Sequence, residues 1–388
     1  MIYDLAVDTW GEEEKKAIDD VVDSGRLTMG PKVAEFETRF AKYFGKKYAI
    51  MLNSGSSANL VGVASMFYKK EKPLKAGDEV IVPAISWSTT YHPLQQYGLK
   101  LKFVDVELDT LNIDFSQLEK ALTPRTRMIV GVSILGNPAA RDLIRKFADA
   151  HGLIFFEDNC ESMDAELNGQ KTGAFGDFGT FSSFYSHHIS TIEGGYILTD
   201  EAEIDSLARS IRAHGWTRDI SESSGLYEKQ ENDFFEAYRF ILPAYNLRPQ
   251  EINAAVGLEQ LKKLPKFTKV RRKNLTLFQS LFNDDDRFII QRENGKSSSF
   301  SFTIIVNPAI KISRDHVLSK LKDANIRFRI ITGGCFTRHD VIKYYDYEVQ
   351  GDLKNANLAH DYGFFVGNHP FDLSDEINKL YETLNKVL

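Results

Sequence analysis

From residue 48 to about residue 199, short apolar runs alternate with stretches whose apolar positions recur at helical spacing. The runs are continuous rather than alternating with polar residues, as expected for strands that helices cover on both faces. This order predicts an α/β domain built on a mostly parallel, seven-stranded sheet. The predicted strands are residues 48–52, 79–83, 101–106, 128–134, 153–157, 179–184 and 195–198.

An N-terminal arm and a second helix precede this region. The arm, residues 1–29, contains a predicted helix over 12–24. The next predicted helix, over 31–44, has one apolar face because its large apolar residues recur every three or four positions. We assign residues 30–257 to a large α/β domain that begins at this helix. The residues of the apolar face are Val33, Phe36, Phe40 and Phe44.

The last third of the chain has a different pattern. We assign residues 258–388 to a connecting helix and a small α+β C-terminal domain. A long segment, 220–240, shows little periodicity, and a loop of that length is usually functional or mobile. The predicted elements are helices over 249–264, 266–274 and 313–324 and strands over 287–291 and 300–306.

Composition narrows the class of protein. The net charge of −6 gives no reason to expect nucleic acid or an anionic membrane as a partner. No apolar run approaches the roughly 20 residues that span a bilayer, and the acidic start is unlike a signal peptide, so we expect a cytoplasmic protein. Two cysteines, Cys160 and Cys335, cannot supply the four thiolates of an iron–sulfur cluster, and we expect no metal site.

A serine-rich segment follows the first predicted strand and opens a helix. Gly55 permits close backbone approach, and Ser56 and Ser57 place N–H groups and hydroxyls at the helix N-terminus. Unpaired N–H groups and the helix dipole favour an anion such as phosphate there. An ordinary serine cap explains the same residues.

Two further residues lie at strand ends. Asp158 ends an apolar strand, at the usual crevice of an open α/β sheet. Paired with a pyridine nitrogen it would keep that nitrogen protonated, although it could equally cap the next helix. Trp87 follows another strand and could stack on a flat heterocycle, but a core tryptophan fits the same pattern.

The loop from Ser182 to Gly195 carries two adjacent histidines. Ser183 could donate to a phosphate, and either imidazole could transfer protons near neutral pH. Spacing alone does not choose between His187 and His188.

Taken together, these segments resemble the sugar aminotransferase family known by its DegT/DnrJ/EryC1 members, from about Gly30 to Gly257 and less clearly beyond. The resemblance implies fold type I, the aspartate aminotransferase-like fold of pyridoxal phosphate (PLP) enzymes. It also implies a homodimer with shared active sites, because the residue matching Asn246 reaches the cofactor phosphate of the other subunit. The matching motifs are Gly55-Ser56-Ser57, Glu157-Asp158, Gly176-Asp177, Ser183-Phe184, Glu193-Gly194-Gly195 and Tyr245-Asn246-Leu247-Arg248.

Two positions depart from the family pattern. His188 stands where the family has the lysine that binds PLP as a Schiff base, and Glu161 stands where a glutamine is usual. An imidazole has no primary amine, so the cofactor would be held without a covalent bond. The histidine is similar to that of the sugar 3-dehydratase branch, whose resemblance selects His188 rather than His187 as acid and base.

The resemblance to that branch implies a reaction. We expect a lyase that removes the C3 hydroxyl from a nucleotide-linked 4-keto-6-deoxy sugar, GDP-4-keto-6-deoxy-D-mannose, with PLP and pyridoxamine phosphate (PMP) as cofactor forms. Glutamate would restore PMP, and the product would serve colitose formation for a lipopolysaccharide O-antigen. Alternatives are a nucleotide-sugar 4-aminotransferase and a catalytically silent PLP- or sugar-binding protein. Candidate contacts to the sugar or pyrophosphate are His214, Arg218, Arg329 and Arg338.

Overall fold

The computed structural model describes residues 2–221 and 224–387. The helices are α1 (Glu12–Asp23), α2 (Pro31–Phe44), α3 (Gly55–Phe67), α4 (Ser88–Gln96), α5 (Leu118–Ala121), α6 (Arg141–His151), α7 (Ala202–Arg212), α8 (Asp233–Glu236), α9 (Glu251–Phe282), α10 (Arg314–Asp323), α11 (Lys354–Tyr362) and α12 (Ser374–Asn385). The strands are β1 (Tyr48–Leu52), β2 (Glu79–Pro83), β3 (Lys100–Val104), β4 (Thr126–Val132), β5 (Ile154–Asp158), β6 (Glu166–Leu167), β7 (Gln170–Lys171), β8 (Phe178–Ser182), β9 (Gly195–Thr199), β10 (Phe288–Ile290), β11 (Ser301–Val306), β12 (Tyr347–Gln350) and β13 (Gly363–Gly367).

An eight-stranded sheet forms the centre, in the order β1-β9-β8-β5-β4-β2-β3-β12. β9 runs antiparallel to both of its neighbours, and the other pairs are parallel. The predicted α/β architecture is confirmed, but the count of seven strands is wrong. The eighth strand, β12, comes from the C-terminal third and pairs with β3 at the edge of the sheet. Its exposed sequence, Tyr-Glu-Val-Gln, lacks the apolar run of a central strand, so the pattern does not reveal it.

Helix α2 packs on the sheet as its periodicity predicts. Phe36 and Phe40 are fully buried and lie against Tyr196 of β9, with ring centroids 4.9 and 4.5 Å away. Left-handed Gly45 ends the helix, because a residue without Cβ adopts φ of +70° at no steric cost. This packing fixes the position of β9 and hence of the loop that precedes it.

The C-terminal third forms a second apolar cluster around the antiparallel sheet β10-β11-β13. Tyr3 of the N-terminal arm belongs to this cluster, and its hydroxyl donates to the carbonyl of Gly367 at 2.6 Å. The predicted helix over 249–264 and its continuation over 266–274 form one helix, α9, of 32 residues that runs through Pro265 and extends beyond the predicted end to Phe282. Proline removes a single backbone donor, and burial along the helix outweighs that loss. The proposed boundary at 257/258 falls inside α9, and the domain assignment stays a prediction.

The long loop predicted over 220–240 includes residues 222 and 223, which lie outside the described residues. Within its described part, the only helix is the short α8. Across 2–221 and 224–387, no helix is both long and apolar enough to cross a membrane.

Candidate active site

The N-terminus of α3 provides an anion-binding arrangement. Ser54 is the N-cap, and its hydroxyl accepts the N–H of Ser57 at 3.1 Å. Ser56 is exposed, and its hydroxyl donates to Thr89 at 2.9 Å. Of the predicted serines, Ser56 therefore faces the open side of the helix end, whereas Ser57 is buried. Because Ser54 already binds the N–H of Ser57, the backbone N–H groups that could meet an anion there are those of Gly55 and Ser56.

Three elements converge at Gly55. A Cβ at this position would lie 2.6 Å from Cβ of Ser182 and 3.0 Å from Sγ of Cys160, so only glycine fits. Ser182 ends β8 and Cys160 follows β5, which brings both strand ends against the start of α3. Ser182 was not predicted as a site residue.

Asp158 lies at the carboxyl end of β5 and is almost fully buried. Its Oδ2 accepts the amide N–H of Asn59 at 2.9 Å and the hydroxyl of Thr90 at 2.7 Å. Its Oδ1 accepts the backbone N–H of Cys160 at 3.1 Å. The carboxylate is thus oriented by three donors, and the interpretation as a helix cap is wrong, because no helix begins after it.

Asn59 and Thr90 are supporting residues that the sequence analysis missed. Asn59 also accepts the hydroxyl of Thr180 at 2.6 Å, so its amide is fixed from both ends. The available signal is an amide on the second residue after the serine pair Ser56-Ser57, within a helix otherwise made of small and apolar residues. A buried polar side chain in such a helix requires a partner.

Trp87 is 58% exposed and immediately precedes α4, the helix that carries Thr89 and Thr90. The interpretation as a core tryptophan is therefore wrong. Two nearby residues of α4 reach the site, since Thr89 bonds Ser56 and Thr90 bonds Asp158. An exposed indole in this place can stack on a flat ring.

Glu161 lies beyond the same strand end. Its Oε2 accepts the N–H of Leu135 at 2.9 Å and the hydroxyl of Thr332 at 3.2 Å. Burial, with Asp158 nearby, raises the pKa of its carboxyl to about 7. Glu161 is therefore partly protonated near neutral pH, and the glutamine usual in the family is its uncharged counterpart.

Replacing Glu161 with glutamine should stabilise the cofactor-free protein near pH 8 and change little near pH 4. The pKa of about 7 in the folded protein lies above the ordinary value of 4.5, so the folded state binds this proton more tightly than the unfolded state. The free energy of unfolding therefore falls as the pH rises from 4.5 to about 7. The full shift corresponds to up to about 3 kcal/mol. Thermal unfolding at several pH values measures the difference, and identical pH dependence of the two proteins would contradict it.

His188 is 1% exposed. Its Nε2 faces the carbonyl oxygen of Ser298 at 3.3 Å, which assigns the proton of the neutral ring to Nε2. Nδ1 is buried, has no hydrogen-bond partner among residues 2–221 and 224–387, and keeps its lone pair. Burial, Arg271 and His187 lower the pKa of His188 well below its ordinary value. The imidazole is therefore neutral near pH 7 and can accept a proton at Nδ1.

His187, the rival at this position, shares some of these properties. Its pKa is lowered to about 4 by burial and by Arg271, and its Nδ1 also has no partner. Its ring packs edge-on against Phe184 and Phe300. No carbonyl assigns its tautomer, in contrast to His188.

Ser183 lies beneath this loop and is fully buried. Its hydroxyl bonds to those of Thr191 at 2.5 Å and Tyr196 at 2.6 Å. In this arrangement the hydroxyl is not offered to a phosphate, contrary to the expectation, and contact with one would require a change of partner. Ser182, not Ser183, lies beside Gly55.

Two of the remaining candidates contact Trp216, and a third, Asn246, is linked to it through Arg248. The ring of His214 lies 4.8 Å from it, and the guanidinium of Arg218 lies over it at 4.4 Å. Arg248 lies at 5.8 Å from the same ring and donates to Asn246 at 3.0 Å. Asn246 and Arg218 are exposed, so this aromatic and cationic surface is open to a binding partner.

Arg329 and Arg338 lie elsewhere. Both are exposed, and Arg338 forms an ion pair with Asp361 at 2.5 Å. The Arg329 guanidinium donates to the carbonyl of Phe328 at 2.9 Å. The structure does not bring these two arginines into contact with Asp158 or His188.

The chain is similar to known proteins along most of its length. The family model described as the DegT/DnrJ/EryC1/StrS aminotransferase family matches residues 8–384. GDP-4-keto-6-deoxy-D-mannose 3-dehydratase of Yersinia pseudotuberculosis is 47% identical, over 99% of this chain and 98% of that protein.

Solved structures of related proteins closely match the fold of this chain. The E. coli GDP-4-keto-6-deoxy-D-mannose-3-dehydratase with bound hydrated PLP is 49% identical, with a TM-score of 0.97 over 99% of this chain and 100% of that one. The structure of GDP-4-keto-6-deoxymannose-3-dehydratase with a trapped PLP–glutamate geminal diamine has the same identity and TM-score, over 98% of this chain and 100% of that one. The match to the family model covers most of the chain, and the chain therefore belongs to the DegT/DnrJ/EryC1/StrS aminotransferase family.

Proposed function

We propose that this chain is a GDP-4-keto-6-deoxy-D-mannose 3-dehydratase that uses PLP and PMP. One observation carries the proposal: a buried, neutral histidine, His188, stands at the position of the family's Schiff-base lysine. The relatives that are nearly half identical along the whole chain bear the name of this activity. A lysine would trap the aldehyde form of the cofactor and favour ordinary transamination, which a histidine cannot do.

The described residues fit the cofactor. The open N-terminus of α3 at Gly55 and Ser56 would hold its phosphate, with Ser183 joining only if its hydroxyl turns toward the site. Asp158, oriented by Asn59 and Thr90, would pair with the ring nitrogen. The remaining contacts in this proposal are Trp87 on the ring face, Ser57 below the helix turn, Glu161 near the ring substituents and Asn246 from a second subunit.

The bound cofactor supplies an amine for the C4 ketone of the sugar and a ring that accepts electrons. His188 supplies the proton transfer. Neutral in the resting protein, it accepts a proton at Nδ1, while Ser298 holds the N–H of Nε2. Once charged inside a buried site it is a strong acid, and it gives a proton to the departing C3 hydroxyl.

The overall reaction balances with glutamate as reductant. The sugar loses its C3 oxygen, and glutamate becomes 2-oxoglutarate and ammonia, so one pair of electrons passes from the amino acid to the sugar. The trapped glutamate adduct of the related dehydratase supports glutamate as the amino donor.

A homodimer completes the proposal. Asn246 is exposed and lies beside Arg248 on the aromatic and cationic surface around Trp216. This position fits a residue that reaches across a subunit interface. His214 and Arg218 on the same surface would then contact the nucleotide sugar of the neighbouring site. Arg329 and Arg338 have no such support from their position.

The decisive experiment supplies purified protein with PLP, glutamate and GDP-4-keto-6-deoxy-D-mannose. We expect one ammonia and one 2-oxoglutarate for each 3-deoxy sugar formed. Product analysis by mass spectrometry and NMR, with an enzymatic ammonia assay, measures these ratios. A 4-amino sugar without ammonia would show an aminotransferase instead, and an unchanged cofactor spectrum after glutamate would show a silent binding protein.

A further inference from the structure

Arg271 is a buried cation without a counter-charge. It lies on α9, is 3% exposed, and donates to the backbone carbonyls of Ser299 at 3.5 Å, Phe300 at 3.2 Å and Asn368. In the described ranges its guanidinium forms no ion pair, and its Nε has no hydrogen-bond partner. A buried charge without a counter-charge is strongly unfavourable. A buried, uncompensated charge close to a candidate active site indicates that the guanidinium has a functional role.

The carbonyls that hold Arg271 belong to the segment that also contacts His188. The Ser298 carbonyl faces the imidazole at 3.3 Å, and the next residue, Ser299, binds the guanidinium. Asn368 clamps this segment by donating to the carbonyl of Ser299 at 3.1 Å and to its hydroxyl at 2.9 Å. Arg271 and His188 therefore contact consecutive residues of one short, fixed segment.

We propose that Arg271 is a positioning residue for proton transfer at His188: it fixes the segment 298–300 against the imidazole, and its buried positive charge repels a proton on that ring. Arg271 does this without touching substrate or cofactor. The inference rests on the proposed function, because it assigns a positioning residue to the acid–base group of that reaction.

The charges around His188 act in one direction. Arg271 and Arg272 approach from α9, and His187 is its neighbour in the loop; each of them lowers the pKa of His188. The Ser298 carbonyl, which favours the protonated ring, acts against them. Of the charged groups Arg271 has the largest effect on His188. Burial, the larger cause, and then Arg271 also lower the pKa of His187 to about 4. Removing its charge should therefore make His188 easier to protonate.

The test is an NMR titration of His188 in the full-length chain, with and without PLP. Labelling the nine histidines gives resolved signals, and the His188 signal is the one missing from the His188→Asn variant. We expect Arg271→Met to raise the titration midpoint by about one pH unit or more. Arg271→Lys keeps the charge and should shift it by less than about half as much. Arg272→Met is the matched control on the next residue of α9, with a smaller expected shift.

An unchanged midpoint in folded Arg271→Met, or equal shifts with lysine and methionine, would overturn the proposal. If Arg271→Met does not fold, Asn368→Asp replaces it. The backbone carbonyl of Asn368 binds the guanidinium, so a carboxylate on this residue should also raise the midpoint, and no rise would overturn the proposal. The acidic limb of the kcat profile should move with the midpoint. Failure of the proposed function would instead appear as absence of deoxygenation in the unaltered protein, with the titration unaffected.

Discussion

We expect the His188→Asn variant to bind PLP normally and to lose C3 deoxygenation by about 10²- to 10⁴-fold, the usual contribution of a general acid–base group. Asparagine keeps a polar side chain of smaller size but cannot accept or return a proton. The phosphate cradle at Gly55 and the carboxylate of Asp158 do not depend on residue 188, so cofactor affinity should persist.

Absorbance of the bound cofactor measures its affinity, and release of 3-deoxy sugar measures turnover. His187→Asn is the matched control, because it alters the neighbouring imidazole, and we expect it to lose less than about tenfold. Full turnover in the His188→Asn variant would remove His188 from this role. The reverse pattern, with activity lost only in His187→Asn, would transfer the role to His187.

The second large effect concerns stability. Arg141 and Glu157 form an ion pair whose two side chains are completely buried beneath the site. Glu157 also accepts the backbone N–H groups of Gly173, Phe175 and Gly176. Replacing Glu157 with glutamine leaves Arg141 charged and unpaired, and we expect a loss of about 3–5 kcal/mol in the free energy of unfolding.

Urea denaturation followed by tryptophan fluorescence measures this loss. Asp149→Asn is the matched control, because it breaks the more exposed ion pair with Arg145 on α6 and should cost less than about 1 kcal/mol. Similar losses in the two variants would show that burial does not set the strength of the Glu157 pair. Because Glu157 precedes Asp158 on β5, the same variant should also weaken PLP binding.

The sequence predicted the central strands and α2 because burial on both faces leaves continuous apolar runs, and burial on one face leaves helical periodicity. It did not reveal β12, whose exposed residues carry no such run. It ended the connecting helix at residue 274, whereas α9 runs to Phe282, because local propensity does not register the burial that stabilises the last turns.

The candidate site shows the same division. Gly55, Asp158 and His188 were found because motif order and a missing lysine are properties of the chain itself. Asn59, Thr90 and Ser182 were missed, since each acts through a contact with a residue distant in sequence.

By itself the sequence determined the fold class, the family resemblance and the replacement of an amine by an imidazole, because these depend on residue type and order. The tertiary structure alone decided that Trp87 is exposed, that the Ser183 hydroxyl is buried, and that Arg271 lies beside the segment over His188. Exposure, tautomer and proton affinity arise from neighbours that folding brings together, and no local pattern encodes those neighbours.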